Sequence, residues 1–211
     1  GDAIWVASNK DDTITRITPA RQVSQPSERE PTLAVALPSF GTETLDPSMD
    51  GRGGLLYHGH MFDYLLGAAP SGQLDTDFGL LESWEISPDA RTYTLTLRDG
   101  ARWHDGVEVT SGDIAFSLAH YARESAACEV CPLIRDTVSR VEVVDSRSVK
   151  SHLKRPDVTF LHILGPVEGD APLLPEHRGD ADGDRGLGED PLGAGPWKFV
   201  SRALGSSIDF S

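Results

Sequence analysis

Alternation of apolar and polar positions is clearest in "TYTLTLR", Thr92 to Arg98. Tyr93, Leu95 and Leu97 share one face there, and the threonines share the other. A period of two predicts a half-buried strand. Shorter alternating pieces, Ile4–Ala7 and Thr13–Ile17, flank the polar turn Ser8–Asp12. "VEVVDSRSVKSHL" reads as a hairpin turning at Asp145-Ser146-Arg147. The continuous apolar run Leu33–Leu37 predicts a buried strand that Pro38 ends. "GAGPWKFVSRALGSSIDFS" predicts a tight turn followed by two strand-like pieces joined at Leu204-Gly205.

Helical spacing appears in three places. Leu55, Leu56, Phe62, Leu65 and Leu66 fall on one face of a helix that Gly67 closes. In "VTSGDIAFSLAHYARE", Thr110 with Asp113 has the spacing of a capping box, and Ile114, Leu118, Tyr121 and Ala122 line one side. "PDVTFLHILG" predicts a short helix beginning after Pro156. Strands and helices mix without a regular βαβ period, which predicts an α/β or α+β layout with a mixed sheet.

The chain has 211 residues and a net charge of −14, from 33 acidic and 19 basic residues. That balance excludes nucleic acid as a partner, because the phosphate backbone calls for clustered Lys and Arg. No apolar run approaches the length of about 18 residues needed for a membrane span. No basic stretch followed by an apolar one opens the chain as a signal peptide would. Residues 1–20 resemble one repeat of a YVTN-type β-propeller blade, through "IWVAS", "DDTITRI" and "TPA". A lone repeat cannot bury its own face, so the leader is expected to be the end of a propeller whose other blades lie upstream. Residues 21–31, polar and with two prolines, read as a linker.

Candidate chemistry is sparse. His104-Asp105 lies between two Asp-Gly turns, and neighbours on an extended segment point to opposite faces, so the pair reads as turn structure around a buried Trp103. His58 and His60 do not share a helix face. In "DADGDRGLGED" the carboxylates of Asp180, Asp182 and Asp184 alternate as in a calcium loop. The turn glycine is replaced by Arg185 and the closing glutamate by Pro191, so a flexible acidic loop is expected. Cys128 and Cys131 are compatible with a short-loop disulfide, with two thiols, or with redox or metal work. No constellation supports an enzyme, and no cofactor or metal site is expected.

The stretch "LLESWEISPDARTYTLTLRDGARWHDGVEVTSGDIAFSLAH", Leu80 to His120, resembles the family-5 extracellular solute-binding proteins, the peptide- and nickel-binding class of ABC importers. "LDPS" at Leu45–Ser48, "VEVVDSRSVKSHLKRP", "LLPEH" at Leu173–His177 and "GAGPWKFV" extend the resemblance across 32–211. It implies the mixed-sheet lobe of a type II periplasmic-binding-protein-like fold, with 32–211 as the first part of lobe one and the second lobe formed by chain that follows. It implies a monomer that binds a small solute, a short peptide above all, and passes it to an ABC permease outside the cell or in its envelope. A cytoplasmic solute sensor built on a propeller is the alternative. By the same resemblance, the loop Phe40, Gly41, Thr42, Glu43 and Thr44 gives free backbone groups to the ligand. The turn Leu192, Gly193 to Trp197 faces the same crevice.

Overall fold

The computed structural model describes residues 4–8, 13–17, 33–37, 39, 41–50, 54–166, 171–182 and 184–211. The chain divides into two compact units, Gly1–Ser39 and Phe40–Ser211. In the first, β1 (Ile4–Ser8) pairs antiparallel with β2 (Thr13–Ile17), Ile4 opposite Ile17, as the alternation predicts. The turn between them and the linker at 21–31 lie outside the described residues. Residues 33–37 form no strand, and Leu33 and Val35 are 79% and 66% exposed, against the expected buried strand. An apolar run becomes a strand only where another backbone takes its hydrogen bonds, and among the described residues none pairs with this one.

The second unit is organised by four antiparallel strands in the order β5-β6-β8-β7. β5 (Leu81–Ile86) and β6 (Thr92–Leu97) form a hairpin, and β7 (Val138–Val143) and β8 (Ser148–Leu153) form another. β6 pairs with β8, Leu95 opposite Val149, and joins the two. The alternation of β6 is realised in full: Tyr93, Leu95 and Leu97 are buried and the threonines between them are not. The Asp145 carboxylate accepts from the N–H groups of Arg147 and Ser148, both at 2.8 Å, and turns the second hairpin where the sequence places it. The ladders among the described residues are all antiparallel, so the parallel pairing of a mixed sheet is not among them.

Helices cover the greasy face. α1 (Leu55–Met61) precedes the small pair β3 (Gly67–Ala68) and β4 (Leu74–Asp75). α2 (Ser111–Tyr121) lays Ile114, Leu118 and Tyr121 into the core. Asp113 holds its start, with Oδ2 accepting from the Thr110 N–H at 2.7 Å and from the Trp103 indole N–H at 3.3 Å. α3 (Cys131–Thr137) follows a Cys128–Cys131 disulfide, so neither cysteine is a free thiol or a metal ligand. Phe160–Leu164 is a 3-10 helix at the predicted place. The acidic segment is helical, α4 (Glu176–Asp182) then α5 (Asp184–Glu189), where a loop was expected; Leu187 of α5 is buried in the core and holds it there. β9 (Phe199–Ala203) and β10 (Ser207–Phe210) pair as the closing hairpin.

α1 is shorter than its apolar spacing predicts, ending at Met61 and not near Gly67. The backbone beyond it is claimed by other segments. The Asp63 carbonyl accepts from the Leu173 N–H, Tyr64 from Leu80, and Leu65 from Leu81, each at 2.9 Å. The Leu66 N–H, which a longer helix would place on the Phe62 carbonyl, donates instead to the Leu164 carbonyl at 3.4 Å, so tertiary contacts override the period.

Trp103 is 2% exposed and its indole N–H is satisfied by Asp113. Trp103→Ala is expected to cost about 3–5 kcal/mol, read from urea unfolding midpoints. A midpoint equal to the parent's would contradict this packing role.

Candidate functional site

The two segments that the sequence singles out meet the same short helix. The end of α1 leaves carbonyls without helical partners. The His60 carbonyl accepts from the Trp197 N–H at 3.0 Å and the Met61 carbonyl from the Gly195 N–H at 2.9 Å. The approach is too close for side chains: a Cβ on Gly193 would stand 1.7 Å from the Met61 carbonyl oxygen, and one on Gly195 would stand 2.7 Å from that of Phe62. Turn 192–197 is therefore the cap of α1, and its glycines are required by that contact. Trp197 is 51% exposed beside it.

Loop 41–44 is fixed to the first half of the same helix. The Thr44 carbonyl accepts from the Tyr57 hydroxyl at 3.0 Å and from His58 Nε2 at 3.1 Å. Thr42 Oγ1 donates to Asp50 Oδ1 at 2.5 Å, and the Tyr57 hydroxyl also lies 3.2 Å from Asp50 Oδ2. Glu43 adopts φ 57°, and Arg202 of β9 donates to its carbonyl. The Glu43 carboxylate accepts from the Gly205 N–H at 2.9 Å, which ties the loop to the closing hairpin. Gly41, at φ 63°, takes the left-handed conformation that glycine favours.

This corrects the expectation of free backbone groups along 40–44. The carbonyls of Glu43 and Thr44 are occupied within the chain, because the loop must be anchored to keep its shape. Gly41 and Thr42 are the exposed part, whereas Phe40 lies outside the described residues. Sequence reading missed Asp50, Tyr57 and Arg202, and weighed His58 only as a metal ligand; they lie outside the loop, and no short motif links them to it.

Burial sets the electrostatics. Desolvation, and next the Asp50 carboxylate, push the Tyr57 phenol well above its ordinary range. His58 is fully buried with Nδ1 unpartnered, and desolvation pushes it below the ordinary 6.5. Its Nε2 faces a carbonyl and must carry the proton. His60, the other half of the pair, is exposed, with its ring 5.7 Å from Phe210, so the two histidines do not converge.

A buried Ser-His-Asp trio lies beneath the loop. Ser48 Oγ is 3.1 Å from His120 Nε2 and Asp46 Oδ2 is 3.8 Å from the same nitrogen, which Arg123 also approaches at 2.8 Å. A catalytic relay needs serine and carboxylate on opposite ring nitrogens, and here all partners crowd one. Burial would raise Asp46, but hydrogen bonds from His120 and Ser48 outweigh it and hold the carboxyl low. The trio is an anchor: the Ser48 carbonyl accepts from the N–H groups of Ala127 and Cys128 beside the disulfide.

His104 and Asp105 sit at the tip of a hairpin closed by Trp103 and Val107, with Gly106 at φ 90°. They reach different elements. His104 Nε2 donates to the Gly195 carbonyl at 2.7 Å, and Asp105 Oδ2 lies 2.9 Å from His177 Nε2 on α4.

A model of the family described as bacterial extracellular solute-binding proteins, family 5 Middle, matches residues 78–211, which include turn 192–197 and exclude loop 41–44. The probable peptide ABC transporter periplasmic-binding protein y4tO of Sinorhizobium fredii is 32% identical over 126 residues, covering 57% of this chain and 22% of that protein. The dipeptide-binding protein of Escherichia coli is 30% identical over 152 residues, covering 63% and 28%. The chain thus spans 22% to 28% of the length of these curated relatives. The crystal structure of NikZ from Campylobacter jejuni in complex with Ni(L-His) superposes with a TM-score of 0.70 at 26% identity, over 79% of this chain and 32% of that one.

Two outcomes are expected from this geometry. Gly193→Ala forces a methyl group onto the Met61 carbonyl and is expected to cost about 1–3 kcal/mol in denaturant melts; an unchanged midpoint would mean that the turn does not seat on α1. His58 binds its proton less readily folded than unfolded, so its share of stability is full above pH 6.5 and is lost as the pH falls from there toward the lowered folded value. His58→Gln, which keeps a donor for Thr44, should flatten that slope in melts taken from pH 7 downward; an unaltered slope would assign it elsewhere.

Proposed function

The chain belongs to the bacterial extracellular solute-binding proteins of family 5, and from that membership we propose that it forms part of one ligand-facing lobe of a short-peptide receptor. The receptor acts as the substrate-binding component of an ABC importer at the cell envelope. It works as a monomer, without a cofactor, and delivers its ligand to the importer's permease. The observation that carries the reading is the attachment of loop 41–44 and turn 192–197 to the two halves of α1. One rigid helix thereby sets the spacing of both segments, as preorganised binding requires. The names of relatives such as the dipeptide-binding protein of Escherichia coli supply the ligand class.

Contact with ligand falls to the exposed Gly41 and Thr42, to Leu192 and to Trp197. Glu43, Thr44 and Gly193 shape the edge, since their carbonyls are engaged by Arg202, by Tyr57 and His58, and by His104. The β1–β2 hairpin favours a second reading, a solute sensor with a propeller-derived leader. Permease genes beside the reading frame support import; a kinase or DNA-binding domain in the same polypeptide supports sensing.

Calorimetric titration of the full-length protein with a panel of di- to pentapeptides tests the proposal. At least one peptide is expected to bind with a Kd of about micromolar or tighter. Binding no tighter than about 1 mM across the panel would exclude the peptide reading.

A further inference from the structure

We infer that His104 is a positioning residue of the ligand-facing turn, holding the carbonyls of Gly193 and Gly195 so that the intervening Ala194 peptide is presented to a ligand's main chain. The inference rests on the functional reading above and adds to it a residue and a binding group.

The turn is gripped from two sides. On one side, the His104 N–H donates to the Gly193 carbonyl at 2.9 Å, and His104 Nε2 to the Gly195 carbonyl at 2.7 Å. Both acceptors are carbonyls, so Nε2 carries the proton in this contact. On the other side, the N–H groups of Gly195 and Trp197 are spent on Met61 and His60 of α1. These bonds consume the main chain on either side of Ala194. Among the described residues, nothing pairs with the N–H or the carbonyl of Ala194, which is half-buried. A main-chain donor and acceptor left open on a fixed turn can pair with an extended peptide as an added strand does, with little demand on sequence. Fixing the turn beforehand removes the cost of ordering it on binding.

The hairpin tip is itself braced. Asp105 Oδ1 accepts from the Val107 N–H at 3.0 Å, while its other oxygen meets His177. Burial would raise the Asp105 carboxyl, but these hydrogen bonds outweigh it and keep it low. His104 therefore acts from a fixed base.

The test compares the full-length parent with His104→Gln, which retains an N–H donor at similar reach, and His104→Phe, which fills the space without one. Amide exchange at Gly195 and Trp197 should quicken by about tenfold in His104→Phe, the scale of one net hydrogen bond, and stay within about twofold of the parent in His104→Gln. Calorimetry with trialanine should show the same order, with about tenfold weaker binding for the Phe variant and rescue by Gln. Parent-like exchange and binding in His104→Phe would overturn the assignment. So would a Gln variant that fails as badly as Phe, or that loses the protection when Phe does not fold. If the parent does not bind trialanine, the exchange result alone decides the role of His104, and the functional reading stands or falls on the peptide panel.

Discussion

Every helix ends with carbonyls that its own backbone cannot satisfy, and in α1 those groups determine where the surrounding chain lies. The carbonyls of His60 and Met61 draw in the main chain of turn 192–197. That demand explains the glycines, because the Met61 carbonyl occupies the space where a Gly193 side chain would be. It also explains why the closing hairpin β9–β10 begins where it does. From there Arg202 and Gly205 reach Glu43, so the segment before α1 and the segments after it become one assembly.

Beneath this assembly the polar groups are arranged to keep it from shifting. Asp46 Oδ1 accepts from the Ser48 N–H at 2.9 Å, and Thr44 Oγ1 accepts from the Asp46 N–H at 3.2 Å. The Ser48 carbonyl is gripped by the backbone next to the Cys128–Cys131 disulfide. A chain of satisfied polar contacts therefore runs from the exposed Thr42 into the core. Buried groups of this kind cost a great deal when left unpaired, which favours a single conformation for the loop. Loop 41–44 and turn 192–197 are thus both held from within the chain, with Ala194 half-buried between the bonds that fix the turn.

The sheet was legible because its information is local. The alternation in Thr92–Leu97, the Asp145 turn and the Thr110–Asp113 spacing each act within a few residues, and each gave the element it predicted. The positions of loop 41–44 and turn 192–197 in a common region were reached through family resemblance, not through their own pattern. Three features were out of reach. Leu33–Leu37 has the apolar character of a strand but finds no partner among the described residues. The apolar spacing of Leu55–Leu66 continues past Met61, but the Leu66 N–H that would extend the helix is taken by the Leu164 carbonyl. Tyr57 and His58 of α1 and the distant Arg202 of β9 converge on the loop, and no spacing rule encodes such a meeting.

If α1 sets one edge of the ligand site, a bound peptide lies against the two segments that the helix anchors. Photo-crosslinking with a dipeptide carrying a photoreactive side chain, followed by mass spectrometric mapping in the full-length protein, tests it directly. Adducts within this chain are expected in 41–44 and 192–197, and excess unlabelled dipeptide should remove them. Competed adducts on the strands β7 and β8 instead, with none in those two segments, would contradict it.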